Sequence, residues 1–159
     1  MPDVHVSQRD LGEATSLVPE DVANCILKSA AQAIVASDRD GTIVLWNPGA
    51  ERVFGFTEQE ALGQSLDIII PEPLRARHWE GYRATVRSGT SRYGAGDVLS
   101  VPGLHKSGHR ISIDFSITLL TGVDGAVSGM AAVMTDVTKR FEEMKRLRKQ
   151  ISAHEAAIS

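Results

Sequence analysis

Residues 33–56 read AIVASDRDGTIVLWNPGAERVFGF, and their order decides the fold. Two β-rich runs, 33–38 and 42–46, flank Arg39-Asp40-Gly41. Asp-Gly between apolar runs is a strong hairpin signal, because glycine takes the backbone angles such a turn needs. Asn47-Pro48 then reads as a helix cap followed by the first helical residue, a position where proline forfeits no hydrogen bond. Gly55 stands where that short helix stops. Thr57-Glu58-Gln59-Glu60 has the spacing of a capping box, and Gly63 closes the turn it starts. Short helices divided by glycine suit a crossover packed over a sheet, not a bundle.

Downstream, Pro71-Glu72-Pro73 opens a longer helix that runs to about Ser88 and ends at Gly89. Its inward stripe, drawn at i,i+4 spacing, is Leu74, His78, Tyr82 and Val86, so one face carries a histidine among apolar residues. The second half is β. Residues 110–119 alternate without a fault, with Ile111, Ile113, Phe115, Ile117 and Leu119 on one face and polar residues on the other. A strand at 98–104 precedes this one across Lys106-Ser107-Gly108, and another at about 127–137 follows Val123-Asp124-Gly125. Sequential hairpins imply an antiparallel sheet with helices on one face.

Upstream, residues 1–18 are polar and aperiodic and read as a flexible N-terminus. Residues 19–32 read as a short amphipathic helix, with Pro19-Glu20-Asp21 in its first turn and Val22, Cys25, Ile26 and Ala30 on one side. At the other end the composition shifts to charged residues over 139–159. Val137, Met144, Leu147, Ile151 and Ile158 fall on a and d positions of one heptad frame, and His154 takes a d position. This tail is too short for a stable isolated coiled coil, yet long enough to extend a dimer held together elsewhere.

The whole-chain numbers narrow the class. With 159 residues the chain can bury a real core in one domain, and its 5% of aromatics makes that core aliphatic. A net charge of -3 argues against bulk attraction to nucleic acid or to an anionic membrane. Cys25, the single cysteine, excludes an intrachain disulfide and a zinc-type cysteine cluster. No stretch approaches the ~20 apolar residues of a membrane span. The opening MPDVHVSQRD has neither the basic start nor the apolar run of a signal peptide, so a cytoplasmic location is expected.

The order and spacing of Asp40-Gly41, Asn47-Pro48, Phe54-Gly55-Phe56, the Gly63 turn, Lys106-Ser107-Gly108 and Asp136-Val137-Thr138 resemble the PAS family over roughly residues 24–140. That resemblance implies an α+β fold, a five-stranded antiparallel sheet with helices on one face, cupping a ligand pocket. The PAS core would span 33–138. It implies a sensory or dimerising module, a homodimer whose C-terminal helix passes strain to an effector domain or partner protein. No catalytic motif set accompanies it, and enzyme activity is not expected.

Within that family, residues 70–78, IPEPLRARH, are similar to the haem-binding oxygen sensors, in which the matching histidine ligates the iron. The resemblance implies haem b held by His78 and a diatomic gas as its ligand. Neutral imidazole is a good haem-iron ligand, and a helix facing a sheet leaves a flat slot between them. Ile68, Ile69, Leu74, Tyr82 and Val86 are the expected walls, with Val98, Ile113, Phe115, Met130 and Ala132 from the sheet and Arg83, Arg87 and Arg92 at the rim for propionates. The positions of a distal arginine or methionine fall near Leu99 and Asp97, so CO or NO is an easier ligand than oxygen. The competing readings are a cofactor-free dimerisation or interaction module and a sensor of a small organic ligand or flavin. Cys25 lies upstream of the core strands and does not match the reactive cysteine of the light-sensing flavin relatives. His105 and His109 flank a tight turn, where a solvated loop is a better reading than a two-ligand metal site.

Overall fold

Asn47 is the residue around which the first half of the domain assembles. A computed structural model describes residues 17–94 and 96–158. In it, strands β1 (Ala33–Asp38) and β2 (Ile43–Trp46) form the expected hairpin, followed by helix α2 (Pro48–Phe54). Asn47 Oδ1 caps α2 by accepting from the Ala50 amide at 2.9 Å, and it also accepts from the Ile34 amide at 2.7 Å. Its Nδ2 donates to the Ser29 and Gln32 carbonyls. One side chain, 4% exposed, therefore ties the N-terminal segment, β1 and α2 together.

The same capture sets the end of the first helix. Helix α1 spans Pro19–Leu27, not the full 19–32 expected from the apolar spacing. The carbonyls of Ser29 and Gln32 are taken by Asn47, and those of Ala30 and Ala31 by the Arg52 guanidinium. Those tertiary bonds hold residues 29–32 in a non-helical path, so the helix does not extend through them. No residue of α1 is buried, and Val22 and Ile26 face solvent. The flexible N-terminus expected over 1–18 lies almost wholly outside the described residues.

Beyond α2, Thr57 and Glu60 form the capping box of helix α3 (Glu58–Ala61), and a 3-10 turn covers Leu66–Ile69. Helix α4 (Glu72–Ser88) stops at Gly89, whose φ is 68°. Strands β3 (Leu99–Leu104), β4 (Arg110–Thr121) and β5 (Val127–Asp136) complete one antiparallel sheet in the order β2-β1-β5-β4-β3. Trp46, Phe54 and Ile43 are the largest fully buried side chains. Helix α5 (Thr138–Ile158) leaves the sheet with no buried residue.

The root of α5 is fastened to β4. Val137 donates its amide to the Ser112 carbonyl, and the Ser112 amide donates to Thr138 Oγ1 at 2.9 Å. The Arg140 guanidinium reaches Asp114 Oδ2 at 2.7 Å, and Ser100 on β3 donates to the same carboxylate. Even-numbered residues of β4 thus hold the exit helix and odd-numbered ones face the interior, because side chains of a strand alternate between faces.

Candidate functional site: an apolar cavity under helix α4

The i,i+4 spacing of Leu74, His78 and Tyr82 puts all three on the side of α4 that faces the sheet, and all three line a cavity of about 200 Å³. Its floor comes from alternate residues of three strands: Val35 and Ser37 of β1, Ile113, Phe115 and Ile117 of β4, and Met130 and Ala132 of β5. Antiparallel register brings these together, since Val35 pairs with Ala132, Ser37 with Met130 and Ile117 with Ala132. Ile69 and Ile70 close one side and Val101 of β3 another.

Two polar clusters meet these apolar walls. Tyr82 donates its hydroxyl proton to the Asp38 carbonyl, and the Ser37 hydroxyl lies 2.9 Å from the Tyr82 oxygen. Since the tyrosine proton is committed to Asp38, the serine is the donor to Tyr82, and both hydroxyls are satisfied. Burial and, to a smaller extent, the Asp38 and Asp40 charges push the Tyr82 phenol above its usual pKa, against the Ser37 bond. The phenol therefore stays protonated.

His78 is the second. Its ring packs edge-on against Trp79, with centroids 4.8 Å apart, and tilted against Tyr82 at 5.8 Å. Its Nδ1 is buried without a hydrogen-bond partner, the single such side-chain atom among the described residues. Burial pushes its pKa below the usual histidine value, and the Asp67 carboxylate opposes this without reversing it. The imidazole is therefore neutral at pH 7, the form that ligates metals. Asp67 itself accepts from the Trp79 indole at 2.8 Å, which fixes the aromatic neighbour of the ring.

Of the residues expected from the sequence, His78, Tyr82, Ile69, Leu74, Ile113, Phe115 and Met130 line this cavity. Ile68, Val86 and Val98 are not among its lining residues, and Arg83, Arg87 and Arg92 are exposed on the outer surface. Leu99 pairs with Phe115 at the edge of the sheet and is likewise not among the lining residues. Sequence reasoning missed Ser37. It shares the inward register of Ala33 and Val35, but its partner Tyr82 lies 45 positions away, so no local pattern marks the pair.

Among the described residues no group of three or more histidine, cysteine or acidic side chains is placed to hold a metal ion. His105 and His109 stack with ring centroids 4.4 Å apart, and the Nδ1 atoms of both meet the Ser107 hydroxyl. This pair forms a self-contained turn. Against the requirements of haem, the cavity offers suitable donor chemistry: a neutral imidazole whose Nδ1 has no partner, in an apolar surround. Its space is tighter, since pockets that enclose drug-sized ligands measure ~300–1,000 Å³.

A family model described as PAS fold matches residues 27–142. Sensor protein FixL of Bradyrhizobium diazoefficiens is 28% identical over 127 residues, covering 79% of this chain and 25% of that protein. Oxygen sensor protein DosP of Escherichia coli is 32% identical over 60 residues, covering 38% of this chain and 7% of that one. The chain thus spans a quarter or less of these relatives. Among solved structures, the PAS domain of a Colwellia psychrerythraea protein superposes with a TM-score of 0.64 at 23% identity, covering 76% of this chain and 97% of that one. With the sheet order, the cavity under α4 and the family match in agreement, the chain belongs to the PAS-fold family.

Proposed function

We propose that this PAS domain is a signal-input module, not an enzyme, whose cavity takes haem b on His78 and through it senses a diatomic gas. The observation that carries the reading is His78 Nδ1, buried without a hydrogen-bond partner on a histidine that lines an apolar cavity. A buried polar atom with no partner carries a free-energy cost of ~1–3 kcal/mol, which a coordinate bond would remove. The similarity of residues 70–78 to the haem-binding sensors, and the oxygen-sensor relative, point the same way.

Haem would supply the gas-binding coordination position. The chain's part is to hold and seclude it. His78 would hold the group through an imidazole nitrogen, Leu74 of α4 and Ile69 of the 3-10 turn would give apolar contacts on one side, and Ile113, Phe115 and Met130 those of the sheet. Leu99 lies outside the cavity lining and Asp97 accepts from the Gly94 amide, so neither would offer bound gas a hydrogen bond, and CO or NO is favoured over oxygen. Occupancy acts on output only if the ligand binds one arrangement of sheet and α5 better than another. The odd and even residues of β4 make that link, as cavity wall on one face and as fastening of α5 on the other. We place the module in the cytoplasm as a homodimer, with an effector domain or partner protein downstream of α5.

A second reading rests on the cavity's size. An apolar cavity of ~150 Å³ binds benzene, so about 200 Å³ suits a small uncharged organic ligand. Absorption spectra separate the two. Protein expressed with haem supply should show an intense Soret band that collapses in His78→Ala. A colourless wild type, or a band indifferent to the mutation, refutes haem on His78 and leaves the small ligand or a cofactor-free interaction module.

A further inference from the structure

We infer that Tyr82 is the size-determining residue of this cavity: its hydroxyl clasps α4 to β1 through Ser37 and Asp38, and the clasp must open before the cavity admits a flat macrocycle. The inference rests on reading the cavity as a ligand site, and it adds a selectivity that neither the fold nor the family match assigns.

The geometry is specific. Tyr82 is 7% exposed and Ser37 3%, so the clasp is dry. Both of its hydrogen bonds run from the helix to the first strand, at the wall of the cavity that both residues line. One turn earlier Trp79 packs over Gly41 of the β1–β2 turn, so α4 is held to the hairpin at two successive points. Clasped, the cavity has room for a single-ring molecule. A larger guest must lift α4 from β1. The Trp79 contact is apolar packing at the margin and yields gradually, whereas the Tyr82 bonds are directional and are lost within a fraction of an ångström. Closed, the clasp therefore favours small apolar guests, and its rupture is a toll on large ones alone.

Tyr82→Phe tests this, because it keeps the ring that lines the cavity and removes the hydroxyl. Affinities of wild type and variant are measured by calorimetry for hemin, toluene and naphthalene, with circular dichroism as the check on folding. Hemin and naphthalene should bind the variant roughly thirtyfold more tightly, the equilibrium factor of two net buried hydrogen bonds, with toluene unchanged. Equal affinities for all three guests, a uniform gain that includes toluene, or a weaker grip on the large guests would overturn the proposal. Should Tyr82→Phe not fold, Ser37→Ala removes only the serine's half of the clasp, and a smaller gain confined to the large guests is expected. If neither protein takes hemin, the haem reading fails on its own, and the ratio of naphthalene to toluene affinity still decides the role of Tyr82.

Discussion

At Gly41 the backbone turns with φ at 83°, and the Trp79 ring lies where a side chain would begin. Gly63 has a similar φ of 79° with open space beside it. The two positions separate backbone strain from steric overlap. Gly63→Ala should cost about 1–2 kcal/mol, the penalty of a left-handed backbone for a residue with a Cβ. Gly41→Ala should cost about 2–4 kcal/mol, because Trp79 must also be displaced. Urea unfolding of both variants checks this, and equal losses would show that Trp79 gives way freely. His78 carries a second residue-scale prediction. Its folded pKa is lowered, so the unfolded chain binds its proton more readily. Stability is then full above the unfolded value of ~6.5 and falls as pH drops through it toward the lower folded pKa. Urea midpoints of the ligand-free domain should decline between about pH 7.5 and about pH 5.5, and His78→Phe should flatten the decline. An unaltered slope in the variant would move the effect to another group. His105 is the alternative: burial and then the His109 charge push its pKa down, against Asp136.

Helix α5 shows what an element can carry without being buried. Met144, Leu147, Ile151 and Ile158 are between 46% and 73% exposed, more than isolated apolar residues on a solvated helix require. Their heptad spacing gives a seam whose natural cover is the same seam of a second copy. Replacing Met144 and Leu147 together with glutamate should convert the proposed dimer to monomer in sedimentation, with the sheet's circular dichroism intact. A dimer that survives the double substitution would place its interface elsewhere, for example along α1, where Val22 and Ile26 are exposed. Elements also mark how far local patterns reach. The Asp-Gly turn, the Asn47 cap, the capping box and the alternation of β4 were legible because each is a short-range rule with its partners a few residues apart. The end of α1 was not. Residues 29–32 are held outside the helix by Asn47 and Arg52, which take their carbonyls from as far as 22 positions away.

For the whole molecule, the candidate site divides along the same line. The helix side of the cavity was readable from i,i+4 spacing, and the sheet side from strand alternation, so most of the expected walls meet. The arginines failed as a rim because periodicity places them off the inward stripe without saying how far the neighbouring elements extend. Ser37 escaped because its importance arises only when α4 crosses β1. Among the described residues no helix is long and apolar enough to cross a membrane. The central claim is that an imidazole nitrogen of His78 is the point at which a ligand's arrival is felt. Resonance Raman spectra of the ferrous, haem-loaded protein test it most directly, with and without ¹⁵N-labelled histidine. An iron–histidine band that shifts on labelling and disappears in His78→Ala is the expected result. A haem-loaded protein whose axial band ignores the label, or survives the substitution, would contradict the account.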